Sequence, residues 1–129
     1  MHSINTVLLV GSIAVTPAPL STPGGTTYAS FILATERAET RAGRTREVTD
    51  YHRVLAWGPF GDTCQKFLAR PQVVLVEGEL VTRTYEVDGT AQSTTEIDAR
   101  EVHLLRRTRT RGITIVDIAT LALTETSAS

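Results

Sequence analysis

One stretch with helical periodicity, residues 59–70, interrupts a chain that otherwise has the patterning of strands. Pro59 suits the first turn of a helix, and Pro71 ends it. The apolar residues of this stretch fall on one face at helical spacing: Phe60, Cys64, Phe67 and Leu68. The pattern predicts one amphipathic helix that packs on a sheet, with Cys64 as a small core residue.

Five runs with the two-residue period of a strand flank this helix, three before it and two after it. They cover residues 5–13, 27–36, 48–58, 72–85 and 94–105. The first run is rich in aliphatic residues and is predicted to be buried on both faces. Residues 16–25 contain three prolines and a Gly pair, so we expect a turn there in place of a regular ladder. One helix between the third and fourth of five strands predicts an all-β fold, the five-stranded OB-fold barrel.

The third and fourth strands carry aromatic and basic side chains on one face. Tyr51, Arg53 and Trp57 share a face of the third strand, and Arg83 and Tyr85 repeat the arrangement on the fourth. Aromatic rings can stack on bases, and guanidinium groups can meet phosphates. The pattern predicts a surface for single-stranded nucleic acid. The alternative, that Trp57 belongs to an ordinary core, stays open from the third strand alone.

A polar stretch between the second and third strands carries four arginines around Gly43: Arg37, Arg41, Arg44 and Arg46. It is predicted to be a mobile hairpin loop that projects from the sheet. Two interpretations stay open. The arginines could form a basic finger that closes over a bound strand, or the loop could be an ordinary solvated hairpin tip.

Composition excludes several classes of protein. The formal net charge is −1, so the overall charge does not indicate a nucleic-acid partner, and a single cysteine excludes an intramolecular disulfide and a Cys-rich metal site. Residues 1–10 lack the features of a signal peptide, and no apolar run is long enough to span a bilayer. The chain has no nucleophile elbow, phosphate-binding loop or dinucleotide-binding glycine motif. We therefore expect no enzymatic activity, no cofactor, no metal site and no membrane attachment.

Taken together, these segments resemble the bacterial single-stranded DNA-binding protein (SSB) family from about residue 5 to residue 105. The resemblance rests on short motifs in a fixed order: Asn5, Val7–Gly11, Thr22–Gly25, Leu33–Thr35, Tyr51–Val54, Trp57–Gly58, Val76–Leu80, Thr82–Tyr85 and Thr94–Glu96. It implies an OB-fold that binds single-stranded DNA without sequence preference and protects it during replication, recombination and repair. It also implies a homotetramer in the bacterial cytoplasm, associated with the nucleoid. A dimer, and a dimeric OB-fold module for replication restart or protein interaction, remain alternatives.

The resemblance also assigns roles to individual positions. Base-stacking positions fall on Tyr51, Trp57 and Tyr85, and phosphate-contacting positions beside them fall on Arg53 and Arg83. Subunit-interface positions fall on His52 and on the first strand, with Asn5, Val7 and Leu9. Two departures predict weaker binding than the strongest relatives show. The stretch after the second strand, residues 36–39, lacks a further aromatic, and Val81 stands at a position that is often basic.

The C-terminal part departs most from the family pattern. Residues 1–106 are the expected DNA-binding domain, and residues 107–129 are a short extension. The extension is an Arg-rich linker followed by an apolar run, 113–123, that suits a strand or a helix. Relatives end in an acidic tip with a Phe that recruits other proteins, whereas this sequence ends in residues 124–129 without one. Recruitment through such a tip is therefore not expected.

Overall fold

The computed structural model describes residues 2–107 and 113–117, and side chains as far as residue 105. Its elements in chain order are β1 (Val7–Ser21), β2 (Thr27–Arg41), β3 (Arg44–Trp57), α1 (Pro59–Phe67), β4 (Val73–Val87), β5 (Thr90–Arg107) and β6 (Ile113–Asp117). The strands pair in the order β3-β2-β1-β4-β5-β6, and a short parallel pairing of β3 with β5 closes the first five into a barrel. The predicted five-stranded barrel, with its helix between the third and fourth strands, is confirmed.

The core fills the barrel interior with aliphatic side chains from every strand of the barrel. Its buried members are Ile13, Phe31, Leu33, Val54, Ala56, Cys64, Leu68, Val74, Val76, Ile97, Val102 and Leu104. The helix α1 contributes Cys64 and is followed at once by Leu68, while Phe60 and Phe67 pack on the core from its edge. The predicted apolar face of the helix is confirmed, although α1 ends at Phe67 and not near residue 70.

Two expectations for β1 are wrong. Leu8 and Val10 are 64% and 52% exposed, so the strand is not buried on both faces. The prolines at 17 and 19 also lie inside the strand, which continues to Ser21 with two irregularities in its pairing with β2. The reason is that β4 pairs with β1 only as far as Ser12. One more backbone hydrogen bond follows, from Ile13 N to Gln72 O, and beyond it no described strand pairs with this edge of β1. A proline on an unpaired edge breaks no ladder hydrogen bond.

The hairpin predicted at residues 37–47 is confirmed, but it is not a loop. The strands β2 and β3 stay paired out to Arg41 opposite Arg44, and Ala42 and Gly43 form a two-residue turn with φ of 53° and 78°. Positive φ at both central residues is the geometry of the tight hairpin turn. The arginines therefore lie on a regular two-stranded arm, here called the β2–β3 ribbon (residues 37–48). A second tight turn, at Asp88 and Gly89 with φ of 51° and 78°, joins β4 to β5.

The C-terminal extension contributes one described strand. Residues 113–117 form β6, which pairs antiparallel with β5 from His103 opposite Asp117 to Arg107 opposite Ile113. The other residues of the predicted extension, 108–112 and 118–129, lie outside the described residues.

Candidate nucleic-acid interface

The three predicted stacking residues differ in exposure. Tyr51 on β3 is 68% exposed, whereas Trp57 at the end of β3 and Tyr85 on β4 are half-buried. Sequence reasoning missed a fourth ring. Tyr28 on β2 lies directly opposite Trp57 in the ladder, with ring centroids 4.6 Å apart and planes tilted by 32°. The β2–β3 register was the signal that could have revealed this pair.

Arg83 lies against the Trp57 ring of this pair. Its Cζ is 5.3 Å from the centre of the Trp57 ring, within range of a cation–π interaction. Nη1 and Nη2 donate to Oδ1 and Oδ2 of Asp98 over 2.9 and 2.8 Å, a bidentate pair. The hydrogen bonds to Asp98 are the largest cause of a raised pKa at Arg83, and those to Glu96 add to it.

A buried carboxylate, Glu96 on β5, organises the same face. Its side chain is 1% exposed. Oε1 accepts hydrogen bonds from Tyr85 Oη over 2.8 Å and from Arg83 Nη1 over 3.3 Å. Arg53 Nε lies 3.3 Å from Oε2 and donates to Ser30 Oγ over 3.2 Å. Burial first, and then the bond to Glu96, raises the pKa of Tyr85. Such a buried carboxylate is tolerated because two guanidinium groups surround it.

Two buried polar atoms in the part of the chain with described side chains have no aligned hydrogen-bond partner. They are Glu96 Oε2 and Trp57 Nε1. The first keeps a close electrostatic partner in Arg53, so its charge is still compensated. The second lies on the indole whose face meets Arg83 and Tyr28.

The acidic pair changes the electrostatics that the sequence predicted for this face. Arg53 and Arg83 contribute two positive charges, and Glu96 and Asp98 contribute two negative charges, so the cluster is neutral. Glu96 and Asp98 are two residues apart on β5 and so share one face of that strand. They reach the arginines because β5 pairs with β4 along its length and with β3 at Val54 and Leu55.

The arginines of the β2–β3 ribbon lie at the surface beside carboxylates. Arg37 Nε donates to Asp50 over 2.7 Å, and this bond is the main cause of its raised pKa. Arg46 and Arg41 approach Glu39 at 3.3 and 4.0 Å, with side chains that are 73% and 84% exposed. Arg44, opposite Arg41 at the turn, is exposed as well. The ribbon begins three ladder positions beyond Tyr51. Arg44 and Arg46 lie on the strand that carries that ring, and Arg37 and Arg41 lie on its partner β2.

The predicted interface positions are held within the single chain. Val7 and Leu9 pack against the core, and His52 Nε2 lies 2.8 Å from Thr35 Oγ1. Asn5 fastens the start of the chain to β4, since its side chain both donates to Leu80 O and accepts from Leu80 N. The exposed apolar side chains on this part of β1 are Leu8 and Val10, which the prediction did not name.

The described residues contain neither a candidate metal-binding cluster nor a helix suited to span a membrane. No group of three or more His, Cys, Asp or Glu side chains among them is placed to hold a metal ion. None of the helices in that part of the chain has the length and apolar character needed to cross a membrane.

Comparison with known proteins gives concordant matches. The family described as the single-strand binding protein family matches residues 4–105. Two proteins of Chlorobaculum tepidum, single-stranded DNA-binding proteins 1 and 2, are each 32% identical, over 107 and 115 residues. These alignments cover 81% and 87% of this chain, and 66% and 78% of the relatives. The chain thus spans about two thirds of the first relative's length.

Solved structures agree with the sequence matches. A Plasmodium falciparum SSB in complex with single-stranded DNA superimposes with a TM-score of 0.71 at 25% identity, covering 82% of this chain and 98% of the other. A deletion mutant of the single-stranded DNA binding protein from Thermus aquaticus gives a TM-score of 0.63 at 29% identity, covering 87% of this chain and 66% of that protein.

Proposed function

The chain belongs to the single-strand binding protein family, and from this membership we propose that it binds single-stranded DNA without sequence preference. The family is one of DNA-binding proteins and not of enzymes. The observation that carries the proposal is the outward ring of Tyr51 on β3, the strand that also carries Trp57, whose ring contacts Tyr28 of β2. Relatives of similar fold and sequence bear the name of this activity, and one was solved with single-stranded DNA.

Ring stacking supplies affinity that does not depend on the base. Each base stacked on an aromatic side chain contributes about 1–3 kcal/mol, because every base presents a flat face. We propose Tyr51, Trp57 and Tyr85 as these platforms. One OB-fold covers roughly 4–16 nucleotides, so three platforms are enough for one barrel.

The exposed arginines of the ribbon supply the electrostatic part of the proposal. Arg41, Arg44 and Arg46 project at the surface, where a phosphate can reach them without removal of a buried partner. Arg37 shares the ribbon but is held by Asp50. Phosphate contacts of Arg53 and Arg83, which already have acidic neighbours, stay a prediction.

We propose that the protein protects single-stranded DNA in replication, recombination and repair, as a homotetramer in the cytoplasm, associated with the nucleoid. The support for self-association is the part of β1 that presents Leu8 and Val10 to solvent. Residues 7–11 of β1 pair with β4 on one side, whereas pairing with β2 starts only at Ser12. We propose that a second copy of the chain binds at this open edge. Asn5 and His52, which the family resemblance assigns to the interface, belong to the same proposed contact. Light scattering would separate tetramer from dimer.

A fluorescence titration with oligo-dT tests the proposed binding. Trp57 is the single tryptophan, so its emission reports on one place in the molecule. We expect quenching that saturates as bases stack on the indole, and no comparable change with duplex DNA of equal length. If labelled oligo-dT shows no binding by anisotropy at low salt, the proposed function is wrong.

A further inference from the structure

Arg83 has a better partner within the protein than a phosphate would be. Both terminal nitrogens of its guanidinium already donate to the two oxygens of Asp98, and Nη1 also lies 3.3 Å from Glu96. Its side chain is 26% exposed, and that of Asp98 is 19% exposed. Bidentate pairing with a carboxylate is the same geometry that arginine uses on phosphate. A DNA phosphate would therefore have to displace Asp98, or bind Nε and the second Nη2 hydrogen beside this fixed negative charge.

We propose that Asp98 is an internal counter-ion that keeps Arg83 from binding DNA phosphate, so that Arg83 acts as a support for the Trp57 ring. This inference rests on the proposed function and changes the role of one residue in it. It makes Asp98 a determinant of affinity, although the residue itself touches no base.

Electrostatics on this face favours the counter-ion role. A phosphate that approached Arg83 would meet the charges of Asp98 and of the buried Glu96 at the same place. Binding to a cation raises affinity largely through the counterions that the DNA releases. A guanidinium that is already neutralised by a fixed carboxylate releases few counterions from the DNA. The ribbon differs, because the Arg41 side chain is 84% exposed and its nearest carboxylate oxygen is as far away as 4.0 Å.

Geometry explains what the pair does instead. The fork of two hydrogen bonds fixes the plane of the Arg83 guanidinium, and that group lies 5.3 Å from the centre of the Trp57 ring. Tyr28 lies against the same ring at 4.6 Å. The indole thus contacts two side chains of the protein before any base arrives. A platform ordered in advance loses less side-chain entropy on binding.

The test measures how oligo-dT affinity depends on salt in four proteins. These are the wild type, Asp98→Asn, the charge-balanced double variant Arg83→Gln/Asp98→Asn, and Glu101→Gln as the matched control. Glu101 lies on the same strand with a 60% exposed side chain, and it pairs with His103 and not with an arginine of the cluster. Thermal unfolding of each protein confirms that it folds.

For Asp98→Asn we expect the slope of log affinity against log salt to steepen by about 0.7, the value of one single-strand phosphate contact. Between 1 M and 0.1 M salt, the affinity of Asp98→Asn should therefore rise about five-fold more than that of the wild type. Glu101→Gln should leave the slope unchanged. The double variant should return to the wild-type slope, because it removes an arginine that the wild type does not use on phosphate.

Two results would overturn the inference. One is a slope for Asp98→Asn equal to that of Glu101→Gln. The other is a double variant whose slope is shallower than the wild type by about 0.7, which would mean that Arg83 binds phosphate after all. The second result decides the question even if Asp98→Asn alone fails to fold. Absence of binding by the wild type would instead refute the proposed function.

Discussion

Replacement of Tyr51 by alanine isolates stacking from stability. The side chain is 68% exposed and stands opposite the small Ala34 in the ladder, so few core contacts depend on it. Substitutions at such positions change the free energy of unfolding by about 0.5 kcal/mol or less. Loss of one stacked base should cost about 1–3 kcal/mol of binding free energy. That range corresponds to roughly 5- to 150-fold weaker binding.

The assay is the Trp57 fluorescence titration with oligo-dT at fixed salt, together with urea unfolding of the same protein. Tyr51→Phe is the matched control, because it keeps the ring and removes only the hydroxyl. We expect the phenylalanine variant to bind within about two-fold of the wild type, since a ring's stacking does not need the hydroxyl. The salt slope should not change, because no charge is lost. The reasoning fails if Tyr51→Ala binds as tightly as the wild type, or if Tyr51→Phe is as weak as Tyr51→Ala.

Three further substitutions or treatments test the fold around the site. Gly78→Ala should destabilise the barrel by about 2 kcal/mol or more in urea unfolding, because a Cβ there overlaps the backbone carbonyl of Asp98. Gly24→Ala is the control and should be near neutral, because the atom nearest to its added Cβ is 3.9 Å away. Burial raises the pKa of Cys64 to about 12, so a thiol reagent at pH 8 should label it only after unfolding. Since the thiol ionises more readily when unfolded, stability should fall as pH rises from about 9 towards 12; a flat profile there would contradict the assignment. Val10→Lys should lower the mass found by light scattering without loss of folding, and an unchanged mass would remove β1 from the proposed interface.

The periodicity of the sequence predicted those elements that bury one face in the core. Alternation along the strands and the apolar face of α1 reflect the contrast between core and solvent, which the sequence records directly. The number and order of the five barrel strands and of the helix were therefore predicted correctly. The strand pairing of the β2–β3 ribbon was not predicted. Both of its faces are polar, so its sequence shows no alternation of apolar and polar residues. Only the register and the turn at Ala42 and Gly43 distinguish it from a loop.

The site was predicted in part for a similar reason. Tyr51, Trp57 and Tyr85 could be assigned because each shares a strand face with its neighbours in sequence. The acidic partners could not, because Glu96 lies 13 residues from Arg83 and 43 from Arg53 in the chain. What brings them together is the closure of the barrel, which pairs β5 with both β4 and β3. Sequence spacing does not record a contact of that kind.

Glu96 constrains how this face can change during evolution. One carboxylate at 1% exposure serves Arg53, Arg83 and Tyr85 together. Loss of either arginine alone would leave a buried charge undercompensated, and loss of the glutamate alone would remove the carboxylate that Arg53 pairs with. The combined replacement of these residues should therefore cost less stability than the sum of the single replacements. Lineages that alter one of these four positions are therefore expected to alter the others as well.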